Sequence, residues 1–494
     1  MKRIFSSLVF PLAAGLGLRL LFVLKFPASS GDTVIYEQIA ANWLKRGVYA
    51  MDVHGAITPV DMRMPGYPGF LALVYSLTGR TAEAARLWVM LAQVAVDLLS
   101  CLVIAALAAG LFMLAERGGS LKRVFIAALW LAALCPFTAN YAAVLLTETL
   151  AVFWSAVAMA LLVGVVGNAS DLVFPKPNPT STWSEDFRLF AASSGLAVGL
   201  GTLFRPETPL LLLALWVGNA CLLLPRGQGR HLLRIVVYTG LGCILPLVPW
   251  AIRNAVTLHE LQFLTPKNST LPGELEPRGL MAWERTWLFR MRDCYLVPWK
   301  VNEEPIDVDE IPARAFDSPE EKQRVAAILE QYNEDLTLTK EEDQGFGELA
   351  RERTRRHPWR TYLWIPAVRA VVMWFTPRIE LLPISGHVFP LAEMREEDPQ
   401  DQEFTILLFL LNILYLGLGA WGAIKLWRTS PAARSAAAFL IFFMLLRTAF
   451  LTTLETPEPR YLLVCFPILI ALAAQLFAGQ PPGSRGYFSS AGSG

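Results

Sequence analysis

Apolar runs of about 20 residues recur along this chain, each long enough at ~1.5 Å per residue to cross a ~30 Å hydrocarbon core as a helix. That pattern dictates a polytopic, all-α membrane protein. Composition agrees, because only 17% of the 494 residues are charged and 54% are hydrophobic, whereas a soluble chain carries roughly a quarter charged residues. A net charge of +1 leaves no basic footprint for nucleic acid. The six cysteines make no disulfide framework: Cys101, Cys135, Cys221, Cys243 and Cys465 read as small core residues, and Cys294 as a free thiol.

Taken in order, the chain divides into an N-terminal membrane module over 1–252, an outer-face domain over 253–403, a C-terminal membrane module over 404–478 and a flexible tail over 479–494. The first span, Ile4–Phe26, follows Lys2 and Arg3 and is expected to be retained rather than cleaved. A catalytic first outer loop, 27–83, is expected to hold an interfacial amphipathic helix over Thr33–Arg46, with Ile35, Ile39 and Trp43 on its apolar face and Glu37 off it. A second short helix runs from Pro68 to Gly79. Further spans are read within Trp88–Leu114, Val124–Phe137 and Val144–Val166, then up to Phe204, Pro209–Leu224 and up to Ile252, and finally Phe404–Trp427, Ser435–Leu451 and Tyr461–Phe477. Ten spans result, twelve at most. The breaker-rich stretch 171–186 is read as irregular. In the outer domain, Ser318-Pro319-Glu320-Glu321 starts a helix, and the Trp-rich stretch after His357 reads as a further interfacial helix. The basic loops at Arg117–Arg123, Arg226–Arg234 and Lys425–Arg434 put both termini in the cytoplasm under the positive-inside rule.

On that topology, the polar residues at the outer rim fall into a group. Asp32 opens the first outer loop and is either a helix N-cap or a general base. Glu148 is read one turn inside the outer end of the fourth span, where a carboxylate is costly unless it lines a cavity or meets a cation. Arg63, Arg205, Arg253 and Arg460 reach the same rim. One such arginine anchors a helix at headgroups, but several beside carboxylates suit a phosphate, which guanidinium grips bidentately. Asp97, with Gln93 one turn before it, reads as a buried hydrogen-bonder. Asp307-Val308-Asp309 reads as an acidic loop, and the histidines lack metal-ligand spacing.

The segments GDTVIYEQIAANWLKRGVY, RMPGYP, LLTETL, LFRPE, VPWAIRN and EPRY, in that order and on one membrane side, resemble the GT-C glycosyltransferases. The likeness is to bacterial protein O-mannosyltransferase and lipid A aminoarabinose transferase relatives. The resemblance implies a sugar donor linked to polyprenyl phosphate, with Asp32 as the base that deprotonates an acceptor hydroxyl and Glu148 as its catalytic partner. Arg205, Arg460, Arg63 and Arg253, with Tyr461 and Tyr36, would bind substrate and the leaving phosphate. It requires no cofactor and assigns no metal ligands, although a divalent metal is compatible with it. Thr33 stands where protein mannosyltransferases place a second carboxylate, and Arg-Met-Pro-Gly-Tyr-Pro where many relatives carry His-Pro-Pro, so the acceptor is open among lipid, glycan and protein. The expectation is therefore an inverting transferase of the bacterial inner membrane, active on its outer face. The rivals are a glycolipid transporter or flippase, a non-catalytic partner in glycan assembly, and a ligase or polymerase using a diphosphate-linked donor.

Overall fold

The computed structural model describes residues 2–174, 185–266, 270, 274–377, 382, 388 and 401–479. Most of the breaker-rich stretch and nearly all of the tail fall outside these. Among the described residues, seven helical segments are long and apolar enough to cross a membrane: Ser7–Lys25, Ala82–Leu114, Glu148–Val173, Gly229–Thr257, Gln402–Trp427, Pro431–Leu451 and Pro459–Phe477. The protein is a multi-pass membrane protein.

Seven is fewer than the ten expected, and each shortfall has a local cause. The third expected span is α5 (Leu121–Ala133) followed by a second piece, α6 with its 3₁₀ continuation (Pro136–Ala143), bent from it by 52°; counted together they make an eighth span. Pro136 has no N–H to continue the ladder. The fifth, α8 (Glu185–Thr202), spends its first turn on Glu185, Asp186 and Arg188. The sixth, α9 (Leu210–Leu223), follows Pro209 and stops before Pro225, so its 14 residues reach only about 21 Å.

The break after α5 also moves the fourth span. Instead of starting at Val144, the helix α7 starts at Glu148 and runs to Val173. Val144 is extended and bridges in parallel to Ala28 just beyond α1 (Lys2–Lys25), and residues 145–147 form a bend. Ala28 donates to the Ala143 carbonyl at 3.0 Å and accepts from Leu145 at 3.4 Å. Backbone groups buried in an apolar bundle need partners, and Gln93 on α4 (Arg86–Leu114) supplies them, donating to the Ala142 and Val144 carbonyls at 3.2 and 2.8 Å. Tyr67 holds the Gln93 side-chain oxygen at 2.8 Å.

The first outer loop holds α2 (Gly31–Arg46) and α3 (Gly66–Thr78). Between them lies a hairpin of β1 (Ala50–Val53) and β2 (Ala56–Pro59), absent from the sequence reading. The pairing runs from Ala50↔Pro59 to Val53↔Ala56, and the two turn residues, His54 (φ 52) and Gly55 (φ 82), both sit in the left-handed region that a two-residue hairpin turn prefers. Glu37 is 5% exposed rather than solvated, because Arg86 grips both its oxygens at 2.9 Å. Gly66 packs against the chain leaving α8, donating to the Leu203 carbonyl at 2.8 Å; a Cβ there would come within 2.5 Å of that oxygen.

Helix α8 presents Gly195 and Gly199, four residues apart, to α10 (Gly229–Ile244). Added Cβ atoms would meet the Thr239 and Cys243 carbonyls at 2.0 and 2.2 Å, the close backbone approach that small residues permit in membranes. Helix α11 (Val248–Thr257) continues from α10 away from the end that carries Arg230 and Arg234.

The outer domain is built from α12 (Arg278–Glu284), α13 (Pro319–Asp335) and α14 (Lys340–Arg356). Its core holds Trp283, Trp287, Val325 and Phe346, and Ser318 accepts from the Glu321 N–H as expected of a cap. Cys294 is a free thiol, as read from the sequence, and is buried in this domain; Cys221, read as a core residue, is exposed instead, because an apolar span has a lipid side as well as a core side. After a π-helical turn at Arg360–Trp364, α15 (Ile365–Phe375) lies against the end of α17 (Pro431–Leu451), where Trp374 donates to Thr448 at 3.0 Å. At 11 residues α15 is too short to cross. The last spans are α16 (Gln402–Trp427), α17, and a 3₁₀ segment, Pro459–Cys465, leading into α18 (Phe466–Ala473).

The basic loops gather at one end of the bundle. There Arg117 donates to the Gln475 carbonyl at 2.8 Å and Ser430 donates to Leu114. In the interior, Arg19 of α1 is fully buried, donates to Asp97 at 2.7 Å and to the Ala133 carbonyl at 2.7 Å.

Removing one partner of such a pair strands a charge, so Arg19→Met is expected to destabilise the protein by about 3–5 kcal/mol, with Arg19→Met/Asp97→Leu recovering most of the loss. Reversible unfolding in mixed micelles measures both. Gly66→Ala is expected to cost about 1–3 kcal/mol by overpacking against Leu203, read as a lowered thermal midpoint.

Candidate functional site

Three distant stretches meet at the end of the bundle opposite the basic loops. The first brings Asp32. Because Ser30 N–H is held by Thr33 Oγ1 at 3.0 Å and α2 begins at Gly31, Asp32 is the second helical residue and not the N-cap. Its carboxylate faces Arg63, which donates to Oδ1 at 2.6 Å, and Arg460, 3.9 Å from Oδ2.

The second stretch brings Glu148. It is the first residue of α7, not one turn within a span, because the bridge residue Val144 and the bend at 145–147 consume the residues expected to be helical. It is 3% exposed. Arg205, in the turn between α8 and α9, donates to its Oε1 at 2.5 Å, and Arg460 Nε lies 3.7 Å from the same atom. Oε2 is buried without a hydrogen-bond partner.

The third is the segment entering the last span. Arg460 pairs with Glu458, and Tyr461 donates to Glu458 at 2.6 Å. The Tyr461 ring lies under two guanidiniums, Arg205 at 4.8 Å and Arg460 at 5.4 Å, a stacking that attracts cations to the ring face. Tyr36 receives Arg63 in the same way at 5.9 Å.

Arg253 does not join this group. It donates to the carbonyls of Tyr49 at 2.6 Å and Val60 at 2.8 Å, bracing the hairpin. Three residues outside the sequence-derived set do join it. Arg447 of α17 is 2% exposed, pairs with Glu207 at 3.0 Å and donates to the Tyr461 carbonyl at 2.7 Å; Glu458 completes the trio. The available clue was a lone arginine in the apolar run of the ninth expected span, which demands a buried acid. Asp307 and Asp309 stay in the outer domain, where Lys322 pairs with Asp309 at 2.6 Å. Among the described residues, no group of three or more His, Cys, Asp or Glu is placed to hold a metal ion.

Arg63, Arg205, Arg447 and Arg460 thus stand against Asp32, Glu148, Glu207 and Glu458. Burial pushes the Asp32 carboxyl up, but Arg63, Arg460 and Arg205 outweigh it and hold the group below its ordinary value, so Asp32 is an anion at neutral pH and accepts a proton rather than giving one. Burial likewise opposes ionisation of Glu207, and Arg447 and Arg205 prevail. Burial, aided by the Asp32 charge, pushes the Tyr36 phenol up to about 12, which keeps its hydroxyl protonated.

Part of this group lines a cleft of about 740 Å³, with Glu148, Arg447, Glu458 and Arg460 behind its wall. Asp32, Tyr36, Arg63, Arg205, Glu207 and Tyr461 line its polar end, and Leu210, Leu213, Phe450, Leu451 and Leu454 of α9, α17 and the following turn line its apolar side. Leu213 and Phe450 are 42% and 38% exposed, so the apolar side of the cleft is open between α9 and α17.

No protein-family model and no curated protein matches this sequence. Solved structures do. The chain is similar to the Archaeoglobus fulgidus oligosaccharyltransferase tethered with an acceptor peptide containing the NVT sequon, at 12% identity and TM-score 0.50 over 96% of this chain and 49% of that one. It is also similar to the A. fulgidus oligosaccharyltransferase AglB in complex with an inhibitory peptide and a dolichol-phosphate (13% identity, TM-score 0.49, 95% of this chain and 50% of that one). A third likeness is to ArnT from Cupriavidus metallidurans bound to undecaprenyl phosphate (14% identity, TM-score 0.36, 95% and 77%). The chain spans about half the length of the oligosaccharyltransferase structures it matches. The chain shares the fold of the A. fulgidus oligosaccharyltransferase over about half of that protein's length.

Proposed function

We propose that this protein is an inverting glycosyltransferase that moves a sugar from a polyprenyl-phosphate donor to a hydroxyl acceptor on the outer face of the bacterial inner membrane. The observation that carries this reading is one cleft with two chemistries: an ionised carboxylate and arginines at one end, and an apolar wall open along the side. A lipid chain fits the wall while its phosphate meets Arg205 and Arg63, with Arg460 behind them. The acceptor oxygen attacks the anomeric carbon as the bond from that carbon to the phosphate oxygen breaks. The acceptor proton passes to Asp32, and the lipid phosphate leaves with the bonding electrons, its growing charge stabilised by guanidiniums already in place. Glu148 fixes Arg205 and Arg460 for that task. The basic end of the bundle faces the cytoplasm. Lipid, glycan and protein hydroxyls are each candidate acceptors.

Purified protein incubated with labelled polyprenyl-phosphate sugars and membrane extract tests this. Wild type should transfer label, and Asp32→Asn should be slower by about 10²–10⁴-fold, the usual contribution of a general base. Equal transfer by both rejects the base assignment, and label carried across the membrane without a new glycosidic bond supports a transporter instead. A pH profile gives a second check. Because Arg63 holds the Asp32 carboxyl low, activity is lost only as pH falls through that depressed value, below the ordinary ~4. Arg63→Met removes the nearest cation, so its acidic limb should move to higher pH.

A further inference from the structure

The outer domain carries a second cleft, of about 630 Å³, between α12 and α14. The two helices pack closely, since a Cβ on Gly279 would lie 1.8 Å from the Asp343 carbonyl. Beside that contact the walls carry Arg278 and Arg285 from one helix and its cap, two turns apart, and Arg351 and Arg355 from the other, one turn apart. Asp343 is the one acid among the described lining residues, and its carboxylate already accepts the Gly279 and Leu280 amide protons at 2.8 and 2.9 Å. Glu276 and Glu455 engage Arg278 and Arg285 from outside the lining, whereas Glu348 lies 4.0 Å from Arg351 with both side chains exposed, so Arg351 and Arg355 are the guanidiniums least committed to an acid and the ones an anion entering the cleft would meet.

Thr361 and Tyr362 form part of the same lining, and they place it against a distinctive turn. Trp359, Tyr362 and Trp364 are 76%, 69% and 65% exposed. The helix that follows is tied to the outer end of α17, with Arg369 donating to the Thr452 and Leu454 carbonyls at 3.2 and 2.9 Å. Exposed Trp and Tyr at the rim of a bundle belong at headgroup depth, and arginines directly above them meet phosphate.

We propose that this cleft is a docking site for the anionic headgroup of a phospholipid in the outer leaflet, the aromatic turn resting among the neighbouring lipids. It is independent of the sugar-transfer reading. Short-chain phosphatidylglycerol and phosphatidylcholine with the same tails, and inorganic phosphate, are titrated into the full chain in detergent and bound lipid is counted by native mass spectrometry. Wild type should prefer phosphatidylglycerol by about tenfold, and Arg351→Gln/Arg355→Gln, which alters two exposed side chains, should lose that preference with an unchanged thermal midpoint. Arg355→Gln alone should weaken it, and Asp32→Asn should leave it intact. A preference that persists in the double variant overturns the proposal, and inorganic phosphate binding as tightly as the lipid overturns the headgroup assignment.

Discussion

A charge surrounded by apolar helices is tolerated only beside an opposite charge, and this protein is arranged around that requirement at two depths. Inside the bundle, one arginine of the first span meets one aspartate of the second and fastens both to the bend that follows α5. At the outer end the same rule acts on eight groups at once. Three of the four carboxylates there are shared between arginines: Arg460 is near Asp32 and Glu148 as well as Glu458, and Arg205 is drawn by both Glu148 and Glu207. Shared partners make such a cluster stiff, because moving one side chain strands several others. A rigid set of guanidiniums is what a leaving phosphate requires, since no reorganisation is then needed as charge develops.

The loops that bring these groups together are held mostly through backbone. Gly66 ties the first outer loop to the turn carrying Arg205, and Arg253 ties the hairpin to α11. Arg369 and the Arg285–Glu455 pair dock the outer domain on the segment that leads to Glu458, Arg460 and Tyr461. The cleft is thus framed by elements from both the N-terminal and the C-terminal parts of the bundle.

Hydrophobic runs and basic loops made the membrane architecture legible from sequence, and the motifs at the ends of the runs marked where Asp32, Glu148, Arg205 and Arg460 would gather. What stayed hidden depends on pairing. Arg19 and Arg447 each stand alone in an apolar run, and the sequence shows that each needs an acid without showing that the mates are Asp97 and Glu207. Glu37 looked solvated because its partner, Arg86, lies 49 positions away. The bend at Pro136 was visible as a proline, but its effect on the start of α7 follows from the parallel bridge to Ala28, which no local pattern announces. Arg253 shared the arginine's chemistry and the right membrane face, and only the hairpin it braces explains why it stands apart.

That bridge between Ala28 and Val144 has a consequence for how such a site can change over time. It holds the segment before Asp32 beside the segment before Glu148 through amide and carbonyl groups, which every residue type except proline possesses. Most substitutions at the bridge therefore leave the spacing alone, whereas one residue gained or lost in 29–31 or 145–147 would slide one carboxylate past the other.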